Sequence, residues 1–163
     1  MKDFIANVSS ALPIGENRTR VGAITFSDTV QLEIPLDQYF DAAPFQSALQ
    51  FLSSTGTTPN MRRAFTRVID AFLGGFGARS TVANRIVILL TASPADGIAD
   101  LAQTAKDNWI TVYTIGIGIS EPEALSTTVG DATRIDVVPT FEDLSILSPS
   151  YGEMFCSCCE CVF

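Results

Sequence analysis

The chain of 163 residues is 47% hydrophobic and 17% charged, enough apolar material for one core and too little length for two ordinary domains. Its 18 acidic residues against 10 basic ones give a formal charge of -8, so it lacks the cationic surface that nucleic-acid phosphates or anionic lipids require. Histidine is absent, which removes Ser-His-Asp and Cys-His catalysis, imidazole zinc sites and the usual general base at neutral pH.

In chain order, Phe4, Ile5, Val8 and Leu12 fall on one face of a first helix, followed by a loop with Pro13, Gly15 and Asn17. This opening stretch has neither a continuous apolar core nor a small-residue cleavage site, so it is not read as a signal peptide. Val21 to Phe26 is a mostly apolar run of strand length. Val30, Leu32 and Ile34 then alternate with polar residues, as expected for a strand with one wet face at a sheet edge. Ser27, Asp28 and Thr29 between them suit an antiparallel hairpin.

Phe45, Ala48, Leu49 and Leu52 mark a second helix, and Met61, Ala64, Phe65, Val68, Ile69 and Phe72 mark a third. Thr58-Pro59 reads as the N-cap of the third helix with proline at its first position, and Gly74-Gly75 as its end. Arg85 to Leu90 has the continuous β-branched character of a strand covered on both faces. Ser93-Pro-Ala-Asp96 reads as a capping box opening a helix through Ile98, Leu101, Ala102 and Ala105. Ile110 to Ile117 is the next strand, Ser120-Glu-Pro-Glu123 a second capping box before a short helix, and Arg134 to Val137 a brief strand. A final helix is expected from Thr140, with Phe141, Leu144 and Leu147 inward. Strands separated by helices predict an α/β fold with a doubly wound, mostly parallel sheet and one antiparallel edge strand.

No apolar run approaches the ~20 residues needed to span a bilayer as a helix. All the cysteines, Cys156, Cys158, Cys159 and Cys161, fall near the C-terminus, so residues 1–150 are read as the domain and 151–163 as a Cys-rich tail. Its crowded thiols differ from the separated knuckles of structural zinc sites, and disulfide pairing with another segment is the leading reading. Asn7-Val-Ser9 and Asn17-Arg-Thr19 are glycosylation sequons, usable in a secreted context. Gly74-Gly-Phe-Gly77 and Gly116-Ile-Gly118 complete no nucleotide-binding loop, and Asp28, Asp37 and Asp41 are read as surface charge.

Several stretches in order, Ile14-Gly15 with Thr19-Arg-Val-Gly22, Phe26-Ser-Asp28, Thr55-Gly-Thr-Thr58, Ile86-Val-Ile-Leu-Leu-Thr91 and Val112-Tyr-Thr-Ile-Gly-Ile-Gly118, resemble the von Willebrand factor type A domain family. The resemblance implies a Rossmann-like sheet with a divalent-cation adhesion site at its C-terminal edge. That site is built from an Asp-x-Ser-x-Ser motif after the first strand, a threonine before the third helix and an aspartate after the fourth strand. Thr58 matches the threonine, Ala92 stands where the aspartate is expected, and the Asp-x-Ser-x-Ser motif and its strand have no counterpart. A single hydroxyl does not hold Mg²⁺ or Mn²⁺, so no metal and no other cofactor is expected; Asp96 is read as a capping residue rather than a substitute ligand.

The resemblance therefore implies a non-enzymatic, protein-binding module of extracellular or matrix type with a degenerate metal site. Its candidate ligand face is Thr57, Thr58, Pro59, Asn60, Ser93 and Asp96, and its partner is a protein of unknown identity. The alternatives are a truncated, poorly functional fragment of a larger extracellular protein, or an enzyme using the crevice of a doubly wound sheet, for which no nucleophile-base pair is present. The family's first strand lies mid-sheet. Its absence predicts that the Val21 strand slides over to pair with the Arg85 strand, that another chain donates a strand, or that the chain is a truncated product. Marginal stability or self-association is expected in consequence.

Overall fold

Every strand expected from the sequence is present in the computed structural model. It describes residues 1–53, 58–79, 84–94, 97–129, 132–155 and 159–163, with only the backbone described at 127, 129, 132 and 159–162. β1 (Arg20–Phe26) and β2 (Val30–Ile34) form the antiparallel hairpin, β3 (Asn84–Thr91) and β4 (Ile110–Ile117) run parallel, and β5 (Ile135–Val138) is parallel to β4. A strand not anticipated, β6 (Cys159–Val162), completes the sheet in the order β2-β1-β6-β3-β4-β5.

β6 overturns the expectations about the centre of the sheet. It lies parallel to both neighbours, pairing Arg20, Val21 and Gly22 of β1 on one side and Asn84 to Val87 of β3 on the other. β1 and β3 therefore do not pair with each other, and the donor of the central strand is the cysteine tail of the same chain. An empty slot would leave two facing rows of backbone N–H and C=O groups unpaired, at ~1–3 kcal/mol for each buried group.

Two helical layers cover the sheet, and the period-2 alternation of the strands decides which residues face which layer. Ile86 and Ile88 of β3 and Ile115 and Ile117 of β4 face α1 (Lys2–Ser10), α2 (Ala42–Phe51) and α6 (Leu144–Met154), packing with Phe4, Val8, Phe45, Leu49, Leu144 and Tyr151. Val87, Leu89, Ile110 and Val112 point the other way, onto α3 (Met61–Leu73), α4 (Ala99–Asp107) and the segment of Leu125, just before the one-turn α5 (Ser126–Val129). The apolar stripe of α3 is buried as its spacing predicts.

Helix boundaries account for most of the differences. α4 begins at Ala99, after Gly97 at φ 69°, rather than at a box on Ser93; the left-handed glycine breaks the chain between them. Of that box, Asp96 lies outside the described residues. At Ser120-Glu-Pro-Glu123 the structure has a 3-10 turn, Pro122–Leu125, whose N-cap is Glu121 with no side-chain hydrogen bond. α6 starts four residues later than expected, so Phe141 is exposed while Leu144 is buried and Leu147 half-buried.

α6 also runs through Pro149 past the boundary expected at residue 150. Proline ordinarily stops a helix, but here the following turn buries Tyr151 and Phe155 against Phe4 and Tyr113. Gly152 is what lets α6 approach α1: a Cβ there would stand 2.8 Å from that of Ala11.

Candidate functional site

The C-terminal ends of β1 and β3 and the loops that follow them form one edge of the sheet. Thr91 closes β3 with a local turn, its Oγ1 accepting from the Ser93 backbone N–H at 3.1 Å and donating to the Ser93 carbonyl at 3.0 Å. Across this edge, the loop before α3 is pinned to the hairpin turn. The Thr58 N–H donates to Asp28 Oδ1 at 2.9 Å and the Asn60 N–H to the Ser27 carbonyl at 3.0 Å. Asp28, read from sequence as surface charge, thus fixes the approach to α3.

The cap of α3 is Asn60, whose Oδ1 accepts from the Arg63 N–H at 3.0 Å, and not Thr58. Pro59 consequently lies outside the helix rather than at its first position. The shift makes a test. Asn60→Ala is expected to cost ~0.5–2 kcal/mol as a lost cap, whereas Thr58→Ala, an exposed hydroxyl, stays within about 0.5 kcal/mol. Urea denaturation of the two variants measures the difference, and equal losses would return the capping role to Thr58.

Thr58, Pro59, Asn60 and Ser93 of the candidate ligand face therefore share this edge, with Thr58 and Pro59 exposed and Asn60 and Ser93 half-buried. Thr57 and Asp96 lie outside the described residues. Ala92 is exposed beside Ser93 and contributes only a methyl group to this edge. Asp28, engaged by Thr58, is the carboxylate bonded to this loop. Among the described residues no three His, Cys, Asp or Glu side chains gather to hold a metal ion. Among the described residues, Thr58 offers one hydroxyl and Asp28 one carboxylate at this loop, fewer oxygen donors than a hard cation takes.

Behind the edge an apolar groove of about 330 Å³ is lined among others by Ile5, Phe26, Phe65, Leu90, Ala92 and Phe163. Sequence reasoning missed it because its lining comes from segments far apart in the chain. On the flank, Arg62 forks onto Asp100 at 2.6 and 2.9 Å and donates to the Gly97 carbonyl at 2.8 Å, tying α3 to the entrance of α4. The fork raises the guanidinium pKa and holds the Asp100 carboxyl below the usual carboxylate range, with both groups in solvent.

The remaining candidates are dispersed. Asn7 is exposed on α1 and Asn17 in the following loop. Ser9 and Thr19, the third residues of their sequons, are fully buried. Cys159 and Cys161 stand in β6, and Cys156 and Cys158 lie outside the described residues. Tyr151 donates to Asp136 Oδ2 at 2.7 Å, and burial together with that carboxylate pushes its phenol pKa far above the ordinary value, so it stays protonated and is no nucleophile. No helix among the described residues is long and apolar enough to cross a membrane.

Comparison with known proteins agrees with this architecture. The family profile of the von Willebrand factor type A domain matches residues 1–148. Matrilin-3 of Gallus gallus is 25% identical over 99% of the chain, and matrilin-1 of Mus musculus 28% identical over 96%. The chain spans about a third of the length of these relatives, 37% and 32% respectively. Among solved structures, proximal thread matrix protein 1 from the mussel byssus superposes with a TM-score of 0.87 at 22% identity, covering 96% of this chain and 41% of that one. A second structure of the mussel protein, TM-score 0.86, has zinc in the metal-ion-dependent adhesion motif. The fold and the matched profile place this chain in the von Willebrand factor type A domain family.

Proposed function

We propose that the domain is a non-enzymatic protein-binding module of adhesion or matrix type, working outside the cell, whose ligand face operates without a divalent cation. The observation that carries this reading is the donor set at the C-terminal edge of the sheet. Ala92 offers no side-chain oxygen and Thr58 is held through its backbone by Asp28, while a structural neighbour carries zinc in its adhesion motif. Kinship with matrilins and likeness to a thread matrix protein support the matrix context. The proposed face is Thr58, Pro59, Asn60 and Ser93, with Thr57 and Asp96 assigned to it from sequence alone. A partner bound there relies on shape and hydrogen bonds.

Titration calorimetry with MgCl₂ and MnCl₂ tests the reading. No saturable heat is expected with either salt. One-to-one binding in the micromolar range, abolished by Thr58→Ala, would overturn it and mean that the carboxylates of Asp28 or Asp96 complete a site.

A further inference from the structure

We propose that Asn17 is an N-glycosylation site, carrying an oligosaccharide at the end of the sheet opposite the candidate ligand face. This rests on the extracellular reading above, because the sugar donor is met only on the secretory route. The sequon Asn17-Arg-Thr19 has no proline at its middle position, as the transfer requires. A match this short says little by itself; the Thr19 side chain is what singles it out. Thr19 is 0% exposed, and its Oγ1 has no hydrogen-bond partner among the described residues. The backbone of the same residue is used in full, its N–H donating to the Pro13 carbonyl at 3.1 Å and its carbonyl accepting from the Gly15 N–H at 3.0 Å. A buried hydroxyl without a partner destabilises the fold relative to valine, which has the same shape and no polar atom. The folded domain therefore gives no reason for threonine at this position. Glycosyl transfer gives one, since the hydroxyl two residues after the acceptor asparagine is read before the chain folds. The sequon at Asn7 lacks this signature: the Ser9 hydroxyl donates to the Ala6 carbonyl at 2.9 Å and accepts from the Gln46 amide at 3.4 Å, so the fold itself uses it.

The acceptor is placed to keep its glycan in solvent. Asn17 is exposed at the corner of a turn that the Arg18 N–H closes onto the Gly15 carbonyl at 3.1 Å. The turn is held from both sides, by Arg20 Nε on the Glu16 carbonyl at 3.1 Å and by Arg79 on the Arg18 carbonyl. In the transfer, Asn17 Nδ2 displaces the diphosphate of a lipid-linked oligosaccharide. The Nδ2–C1 bond forms, the C1–O bond breaks with its electron pair leaving on the lipid diphosphate, and the amide loses one proton to solvent. β1 separates this turn from the hairpin that bears Asp28, and its 7 residues take about 20 Å at ~3.3 Å each. The bulky, hydrated sugar thus covers the end of the sheet where β1 begins and leaves the edge of Thr58, Pro59 and Ser93 open.

The test secretes the 163-residue chain from mammalian cells behind a cleavable leader, so that the route is imposed and the result does not depend on where the native protein resides. Peptide-N-glycosidase digestion in heavy-oxygen water, followed by peptide mass spectrometry, is expected to convert Asn17 to labelled aspartate. Asn17→Gln and Thr19→Val are expected to lose the glycan at this position, and Thr19→Ser and Asn7→Gln to keep it. In unglycosylated chains made in bacteria, Thr19→Val is expected to melt no lower than the parent. An unlabelled Asn17 in the secreted chain would overturn the proposal and leave the extracellular reading intact. Retention of the label in Thr19→Val would overturn it too, as would a lowered melt for that variant, since the hydroxyl would then serve the fold.

Discussion

Glu160→Pro is expected to destabilise the domain by ~3 kcal/mol or more, and removal of residues 156–163 to abolish its cooperative melt. Glu160 is matched to Arg20 on one side of β6 and to Arg85 on the other, so its backbone lies inside a ladder whichever neighbour its N–H faces. Proline removes that donor, leaves an acceptor unpaired at ~1–3 kcal/mol, and sets its ring against the neighbouring strand; for this reason prolines are confined to sheet edges. With total stability of ~5–15 kcal/mol, and a melting shift of roughly 2–4 °C per kcal/mol for a domain of this size, the point variant should melt about 6–12 °C lower. The deletion goes further, because it leaves β1 and β3 two strand spacings apart with their edges facing. Circular dichroism melts of the three chains decide the matter. A deletion variant with an unchanged transition would show that β1 and β3 close up and pair directly, making β6 dispensable.

Legibility in the sequence followed the range of the interactions. α3 and β4 were bounded closely because their signals are local: an apolar stripe of helical period from Met61 to Phe72, and a run of β-formers from Ile110 to Ile117. The element pattern and the family resemblance carried the mostly parallel α/β sheet with its antiparallel edge strand. The helix starts at Met61 and Ala99 differ from the sequence reading because several polar residues in succession can each cap, and the choice falls to tertiary contacts. Asp28 captures the Thr58 N–H, and Gly97 adopts a left-handed turn.

β6 was missed for a different reason. Cys-Glu-Cys-Val-Phe is apolar at every position but one, and a free cysteine is among the most readily buried residues. Counting its thiols as ligands or disulfide partners hid a run of strand length. Backbone groups mid-sheet must be paired, and the structure satisfies this with the cysteine-bearing segment of β6. Four of the six residues of the candidate face, Thr58, Pro59, Asn60 and Ser93, share one edge of the sheet, and Thr57 and Asp96 lie outside the described residues. The groove behind it was not legible, because its lining comes from segments far apart in the chain.

The return of the chain into the sheet depends on an aromatic anchor. Phe155→Ala is expected to cost ~3–5 kcal/mol, a melting shift of about 6–20 °C. Phe155 is 1% exposed, and its ring meets Tyr113 at 5.1 Å and Tyr151 at 5.7 Å, both edge-on. Tyr151 in turn meets Phe4 at 5.7 Å, so the cluster joins α6 to α1 and to β4. Such pairs add ~0.5–1.5 kcal/mol to the burial of the rings themselves. Phe155 also ends α6, its N–H donating to the Tyr151 carbonyl at 3.2 Å, and β6 follows within a few residues. The cavity left by alanine therefore loosens the segment that directs the chain into the central slot. Phe155→Leu, which keeps most of the volume, should recover more than half of the loss. Ile146→Ala on the same helix, 71% exposed, should change stability by no more than about 0.5 kcal/mol. Equal and small effects from Phe155→Ala and Ile146→Ala in thermal melts would show that this cluster does not anchor the end of α6, and that β6 holds its place through the ladder alone.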